Sequence, residues 1–246
     1  MCYSDDARVP LPPISGGAAD SGELVLTAAD GNRFEAYFAR AAKPTGAGIV
    51  VLPDVRGLHE FYKDLARRYA EAGVDAVAID YFGRTAGIGD RSEGFEYMPH
   101  VDKTTPDGLR EDVAAAVAQL KTKDGGAVKS VFTVGFCFGG SNSWNQSASG
   151  LGLNGCIGFY GRPQRSEQFV AKMKSPLLLL LAGADAATPQ EAFFGFDKTL
   201  TAAGVPHEMH IYEGAPHSFF DRGFAQWEAA CDDAWRRMLA FIKEKG

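Results

Sequence analysis

The chain has 246 residues, 46% of them hydrophobic and 23% charged, with a formal net charge of −6 and a pI near 5.4. This composition is ordinary for a globular protein with a sizeable core. The acidic balance argues against a nucleic-acid surface, which needs a basic face, and an anionic substrate would require local arginines.

The first 20 residues are rich in Pro, Gly, Ser and Asp, and we predict a loose N-terminal arm there. They lack the basic and apolar regions of a secretory signal, and the apolar run from Leu177 to Leu181 is too short to span a bilayer. Four cysteines show no metal-ligand or CxxC spacing, which indicates free thiols in a reducing compartment. We therefore expect a cytoplasmic protein without membrane contact.

The rest of the chain reads as one domain from residue 21 to residue 246. Asp30-Gly31 lies between two short runs of strand character, 23–27 and 33–38, which predicts a β-hairpin. From Gly48 onward an apolar strand followed by a helix repeats, which predicts an α/β fold. We expect a mostly parallel, doubly wound sheet with an antiparallel N-terminal hairpin and helices on both faces. Strands are predicted at 49–52, 76–79, 131–134, 156–159, 177–181 and 208–212, and helices at 59–71, 108–121, 138–147, 190–202 and 225–244.

The segment from Thr85 to Pro106 matches neither pattern. It contains Gly87, Gly89, Gly94 and Pro99 and follows the end of a strand. A long loop in that position is either a wall or lid of a site or a surface excursion without a role, and both interpretations stay open.

Cys137 lies within Gly135-Phe136-Cys137-Phe138-Gly139-Gly140, directly after an apolar strand and before a predicted helix. Small residues around one nucleophilic side chain are typical of the nucleophile elbow of α/β hydrolases, with Cys in the place of the usual Ser. The alternative is an inert core cysteine. The elbow would also aim the Phe138 backbone N–H at the group that the sulfur attacks.

The order of two further residues favours catalysis. An α/β hydrolase requires the nucleophile, then an acid, then a histidine along the chain. Asp185 follows the strand that ends near Leu181, and His217 follows the strand that ends at Tyr212. We therefore expect His217 to accept the thiol proton and Asp185 to orient the imidazole of His217.

With these residues identified, the chain resembles the dienelactone hydrolase family, the Cys-His-Asp branch of the α/β hydrolases, from about residue 20 to the C-terminus. The elbow and the segment containing His217 are the specific matches. Ordinary strand-end stretches support them by their order, namely 53–58, 80–84, 158–161 and 183–185. The resemblance implies a cofactor-independent hydrolase, without a metal, that opens a carboxylate-bearing lactone or cleaves a small ester through a Cys137 thioester.

The same resemblance implies roles for two residues after the strand that ends at Leu52. The Val55 N–H would be the second donor of the oxyanion hole. Asp54 stands where the family usually has a Glu that holds and activates the nucleophile, and the shorter side chain changes the reach of the carboxylate. The alternative for Asp54 is an ordinary residue of a Pro-Asp turn.

Substrate binding is assigned to Arg84 and Arg222 by the resemblance, because the family holds a substrate carboxylate with two arginines. Arg222 lies one residue later than the usual spacing from the histidine, and Arg56 is a third possible cation. Each of them could instead be a solvated surface arginine. Tyr160, together with Tyr81, Phe82 and Phe136, would line an apolar pocket or simply be part of the core.

Other interpretations are disfavoured. His207 and His210 lie in a strand and lack a metal motif, and the elbow lacks the Gly-Lys-Ser/Thr of a phosphate loop. Cys156 reads as core, and Cys2 and Cys231 as incidental. Two alternative functions stay open: a broad-specificity carboxylesterase, and a non-catalytic ligand-binding or redox-sensing thiol protein. The expected partner is a small ester or lactone, and the protein is expected to be a monomer or a small homo-oligomer.

Overall fold

The structure is a computed structural model that describes residues 3–4, 6–92 and 94–246, so Cys2 lies outside the described residues. The chain divides into two compact units. One comprises Pro12–Val131 and is called here the hairpin unit. The other comprises Met1–Leu11 together with Phe132–Gly246 and is called here the elbow unit.

The hairpin unit contains four strands in the order β1-β2-β4-β3: β1 (Ala18–Thr27), β2 (Arg33–Ala41), β3 (Ala47–Leu52) and β4 (Asp75–Ile79). Strand β2 pairs antiparallel with β1 and β4, whereas β3 and β4 are parallel. The predicted hairpin is confirmed. Its turn is closed by the Gly31 N–H, which donates to the Ala28 carbonyl at 2.9 Å, and Gly31 has a φ of 87°.

Two longer helices of this unit lie close to their predicted positions: α1 (Glu60–Glu71) and α4 (Pro106–Lys121). Helix α1 buries one face, including Phe61, Leu65 and Tyr69, as its three- and four-residue spacing requires. Helix α4 begins after Thr105, whose hydroxyl accepts from the Gly108 N–H at 3.2 Å.

The segment from Thr85 to Pro106 differs from the irregular loop that we predicted. It contains the end of α2 (Gly83–Ala86) and the whole of α3 (Met98–Lys103). Arg91 anchors the segment, because its guanidinium pairs with the buried carboxylate of Asp80 at 2.8 Å and lies 4.5 Å from the Phe95 ring centroid. The periodicity of apolar residues carries no signal of a buried ion pair, because such a pair joins residues by distance in space.

The elbow unit contains parallel strands in the order β5-β6-β7-β8, namely β5 (Ser130–Phe136, entering from the hairpin unit), β6 (Gly155–Phe159), β7 (Leu177–Ala182) and β8 (His207–Tyr212). Every residue of β5, β6 and β7 is buried, as expected for parallel strands covered by helices. The helices are α5 (Phe138–Gln146), α6 (Gln190–Ala202) and α7 (Glu228–Lys245). The predicted fold class, mostly parallel strands preceded by an antiparallel hairpin, is confirmed.

The N-terminal residues differ from the predicted loose arm. Tyr3, Ala7, Val9 and Leu11 are buried, and β1 already begins at Ala18. The Pro, Gly and Ser content of this segment is typical of a loose arm, whereas its few apolar side chains determine the packing. The division into an arm over 1–20 and a single domain over 21–246 stays a prediction.

Candidate active site

The backbone at Cys137 has the geometry of a sharp strand-to-helix turn. Its φ is 56° and its ψ is −112°, between the end of β5 and the first residue of α5. A non-glycine residue rarely adopts this region, and the strain persists only where the surrounding structure enforces it. The side chain of Cys137 is partly exposed at the carboxyl end of β5.

Glycines make this turn possible by letting α5 approach β5 and β6. A Cβ atom on Gly135 would lie 1.9 Å from the Gly139 carbonyl oxygen, and one on Gly140 would lie 2.3 Å from the Phe159 carbonyl oxygen. Neither backbone contact leaves room for a side chain. The small residues of the motif are therefore required by close backbone packing beside Cys137.

Helix α5 begins at Phe138, immediately after Cys137. The first backbone N–H groups of a helix have no partner within it and carry the positive end of the helix dipole. Such N–H groups stabilise a thiolate or an oxyanion next to them. The Phe138 ring is buried, and the Arg165 guanidinium lies 4.8 Å from its centroid.

His217 and Asp185 form a close pair. His217 Nδ1 lies 2.6 Å from Asp185 Oδ2, and the Asp185 side chain is fully buried, whereas 18% of the His217 side chain is exposed. The second oxygen of Asp185 accepts from the Ala187 N–H at 2.8 Å. The carboxylate is thus fixed by its own loop and turns one oxygen to the imidazole.

Backbone strain in the elbow unit is concentrated at strand ends. Among its described residues the non-glycine positions with positive φ are Cys137, Tyr160 and Ser218, which follow β5, β6 and His217 respectively. Because β5 to β8 are parallel, Cys137, Tyr160, Asp185 and His217 all follow strand ends at one edge of this sheet. The Tyr160 ring lies 4.9 Å from the His217 ring. Such clusters of strain mark functional sites.

The other described cysteines are unsuited to nucleophilic chemistry. Burial raises the pKa of the Cys156 thiol to about 12, and it does the same for Cys231. Their buried positions agree with the prediction that Cys156 and Cys231 are not catalytic. The Cys231 thiol donates to the Phe219 carbonyl at 3.3 Å. Cys137 is the one described cysteine that is not buried.

Asp54 and Val55 lie in a turn of the hairpin unit after β3. Asp54 is buried, and its Oδ1 accepts from the Arg56 N–H at 2.9 Å, while the Gly57 N–H donates to the Asp54 carbonyl at 3.2 Å. These bonds match the turn alternative for Asp54. The activating role of Asp54 and the oxyanion role of Val55 stay predictions.

The two arginines assigned to substrate binding already bind protein oxygens. Arg84 bonds Asp112 through Nε and Nη2, each at 2.9 Å, and Asp30 at 3.1 Å. Arg222 is exposed, and its Nη2 donates to the Leu11 carbonyl at 3.1 Å. A substrate carboxylate would have to compete with two carboxylates at Arg84 and with one carbonyl at Arg222.

Sequence reasoning missed two residues next to the site, Arg165 and Tyr3. Arg165 ends a short 3-10 helix after β6, and its guanidinium has no ion pair with any residue that the structure describes. The Tyr3 hydroxyl is hydrogen-bonded to the Tyr160 hydroxyl. Nothing in the local pattern around either residue indicates these contacts, because each joins positions distant in sequence.

Comparison with known proteins agrees with this fold. The model of the dienelactone hydrolase family matches residues 34–246. A protein of Salmonella typhi named "Putative carboxymethylenebutenolidase" is 27% identical over 256 residues, covering 98% of this chain and 94% of that protein. A Bradyrhizobium protein named "Probable 2-oxo-3-(5-oxofuran-2-ylidene)propanoate lactonase" is 25% identical and covers 87% of this chain and 91% of its own length.

Solved structures show the same fold. One described as a "Putative Dienelactone Hydrolase" from Klebsiella pneumoniae superposes with a TM-score of 0.75 at 26% identity, covering 90% of this chain and 99% of that one. The α/β hydrolase GrgF from Penicillium superposes with a TM-score of 0.68 at 13% identity, over 92% of this chain and 99% of that one, which speaks for the fold alone. The predicted α/β-hydrolase fold is confirmed. Among the described residues no helix is long and apolar enough to cross a membrane.

Proposed function

The chain belongs to the dienelactone hydrolase family, and we propose that it hydrolyses a carboxylate-bearing lactone or small ester through a thioester on Cys137. That it is a hydrolase of carboxylic esters or lactones follows from the family and its relatives. The observation that carries the finer proposal is the strained elbow at Cys137, which ends at the N-terminus of α5.

In the proposed reaction the Cys137 sulfur attacks the carbonyl carbon while His217 takes the thiol proton. Asp185 holds the imidazole through Nδ1, as the 2.6 Å contact between them supports, and stabilises the imidazolium that forms. The oxyanion would be held by the Phe138 N–H at the start of α5 and by the Val55 N–H.

Collapse of the tetrahedral adduct breaks the C–O bond, and His217 returns the proton to the departing oxygen. In a lactone this oxygen stays attached to the acyl chain, so the ring opens without loss of a fragment. A water molecule then loses a proton to His217 and attacks the thioester. This step releases the carboxylate and restores the Cys137 thiol.

Recognition of a substrate carboxylate is proposed for Arg222 and Arg84, with Tyr160 lining the pocket. The contacts of Arg84 with Asp112 and Asp30 oppose its part in this clamp, and Arg165 beside Phe138 is a further candidate cation. Because Asp112 and Asp30 would compete with a substrate carboxylate for Arg84, these contacts favour the second candidate function, a broad carboxylesterase without preference for anionic substrates. The proposed site for the activating carboxylate is Asp54, in the position where the family usually carries Glu.

Mass spectrometry after brief mixing with activated esters and lactones tests the thioester. We expect a transient acyl adduct on Cys137 with multiple turnovers, and Cys137→Ala should lose both. Turnover that persists in Cys137→Ala would refute the thioester mechanism. A stable adduct without turnover would indicate a reactive thiol that does not deacylate.

Arginine variants separate the two candidate functions. For a carboxylate-bearing lactone, Arg222→Ala and Arg165→Ala should lower kcat/KM by about tenfold or more, because each charge-assisted bond contributes roughly 1.5–3 kcal/mol. Hydrolysis of p-nitrophenyl acetate, which carries no carboxylate, should fall by much less. An equal fall for both substrate classes would exclude a carboxylate clamp.

A further inference from the structure

The N-terminal residues are packed into the elbow unit, although the family model matches only from residue 34 onward. Tyr3, Val9 and Leu11 are between 4% and 8% exposed, values typical of core side chains. Three apolar residues buried in so short a segment hold it in place, since each contributes about 1.5–3 kcal/mol. The described residues of this segment, 3–4 and 6–11, are therefore a fixed part of the elbow unit.

Hydrogen bonds join this segment to the residues that follow the proposed catalytic histidine. The Arg8 N–H donates to the buried Asp221 carboxylate at 2.9 Å, and the Arg222 N–H donates to the Arg8 carbonyl at 2.9 Å. The guanidinium of Arg222 reaches the Leu11 carbonyl at 3.1 Å. The stretch from His217 to Arg222 is thus fixed partly by residues outside the family match.

A second connection reaches His217 through Tyr160. The Tyr3 hydroxyl is hydrogen-bonded to the hydroxyl of Tyr160, and the Tyr3 ring lies 6.4 Å from that of Phe136. Tyr160 is fully buried with a φ of 35°, and its ring lies 4.9 Å from the His217 ring at an interplanar angle of 53°. The Tyr160 N–H is held by the Leu180 carbonyl at 2.9 Å. Both ends of Tyr160 are therefore fixed, the backbone by β7 and the hydroxyl by Tyr3.

The imidazole of His217 needs such a support. The hydrogen bond that Nδ1–H donates to Asp185 fixes the distance and the tautomer, but it leaves the ring free to swing about that bond. A ring packed beside the imidazole restricts this swing. Because an error of about 1 Å in a reacting group can cost roughly a hundredfold in rate, small changes in that packing are expected to reach turnover.

We propose that residues 3–4 and 6–11 are part of the active site, and that Tyr3 is a positioning residue that fixes His217 through Tyr160. The proposal rests on the function proposed for Cys137 and His217. In this scheme Tyr3 is assigned no step of the chemistry, and its effect passes through the hydroxyl pair and the Tyr160 ring.

The first test is Tyr3→Phe, which keeps the buried ring and removes the hydroxyl. With p-nitrophenyl acetate we expect kcat to fall about three- to tenfold, with KM within about twofold of the wild-type value. The matched control is Tyr37→Phe, which removes a hydroxyl bonded to Ser21 and Arg67 in the hairpin unit. The control should keep kcat, and equal effects in the two variants would refute the proposal.

A double-mutant cycle with Tyr160→Phe tests the path. Removing either hydroxyl breaks the same bond, so the double variant should be no slower than the slower single variant. Multiplicative losses would mean that the two residues act independently, which would overturn the proposal. If Tyr3→Phe proves too unstable to assay, Tyr160→Phe removes the same bond from the other side and the same outcomes apply.

A second readout does not require hydrolysis. The rate of Cys137 alkylation by iodoacetamide, followed on the Cys137 peptide by mass spectrometry, reports thiolate formation coupled to His217. Its pH midpoint should shift in Tyr3→Phe and stay unchanged in Tyr37→Phe. A lower melting temperature with unchanged kcat and an unchanged midpoint would show a merely structural role. Full esterase activity in Cys137→Ala would instead refute the proposed function, while the alkylation profile would still test the coupling of Tyr3 to His217.

Discussion

The carboxylate of Asp185 lies 2.6 Å from Nδ1 of His217, although 32 residues separate them in the chain. The Asp185 side chain is fully buried, so its charge acts on the imidazole with little screening by water. This pair follows β7 and β8, and Cys137 follows β5 of the same parallel set.

Asp185→Asn tests the charge of this pair. An amide keeps the shape and the bond to Ala187 but no longer stabilises an imidazolium, so kcat/KM with p-nitrophenyl acetate should fall by about 10²- to 10⁴-fold. The control is Asp197→Asn. Asp197 forms an analogous pair with His207, whose Nε2 lies 3.0 Å from the Asp197 Oδ1, and this pair does not belong to the elbow. It should keep at least half of the activity, and similar losses in both variants would contradict a specific role for Asp185.

Gly135→Ala tests the packing of the elbow. The added Cβ would lie 1.9 Å from the Gly139 carbonyl oxygen, so α5 must move away from β5. We expect the free energy of unfolding in urea to fall by about 3 kcal/mol or more.

The matched substitution for that experiment is Gly195→Ala in α6, where no atom other than the adjacent backbone of the helix lies within 4 Å of the added Cβ. It should stabilise the protein by about 0.5–1 kcal/mol, because alanine favours the helix. A Gly135→Ala variant as stable as the wild type would show that the elbow can accept a side chain at residue 135, so that close backbone packing does not require glycine there.

Arg84→Ala tests whether Arg84 supports the fold. The Asp112 side chain is fully buried and would lose its ion pair, which should cost about 2–4 kcal/mol in urea unfolding at neutral pH. Burial raises the pKa of Asp112 to about 6, and loss of Arg84 would raise it further, so the loss of stability should shrink as the pH falls towards 6 and should be small below it, where the carboxyl is neutral in both proteins.

Arg110→Ala serves as the surface comparison, because Arg110 pairs with Glu111 and 44% of its side chain is exposed. Its effect should be below about 1 kcal/mol. If Arg84→Ala is equally mild but abolishes the preference for carboxylate-bearing lactones, Arg84 binds substrate and has no structural role.

His59→Gln tests the acid dependence of stability. Burial, and to a lesser extent the nearby Arg56 cation, lowers the pKa of His59 to about 3 from an ordinary value of 6.5. Since the folded protein resists protonation, the stabilisation is complete above pH 6.5 and is lost as the pH falls towards 3.

The wild type should therefore lose stability relative to His59→Gln as the pH falls below 6.5, by up to about 1.4 kcal/mol per pH unit. Urea unfolding of both proteins at several pH values gives this difference directly. Parallel stability curves would show that His59 does not titrate differently in the folded and unfolded states.

Strand and helix positions followed from the sequence because they depend on local periodicity. Helix α6 begins and ends where predicted, and the predicted strands differ from the observed ones by two residues or fewer from β3 onward. The sequence also predicted the role of the elbow glycines, since a tight turn next to a nucleophile requires small residues at fixed spacing. The predicted strands also put Cys137, Asp185 and His217 just after strand ends, in the order that an α/β hydrolase requires.

Tertiary structure alone decided which partners each side chain has. The sequence allowed Arg84 to be a substrate ligand, but folding places Asp30 and Asp112 against it. It suggested a loose N-terminus, yet Tyr3 is buried and bonded to Tyr160, 157 residues away. Composition and periodicity describe a residue's neighbours along the chain, whereas hydrogen bonds and ion pairs depend on distances in space. For this protein the sequence determined the fold class and the candidate nucleophile, and the packed structure determined what surrounds them.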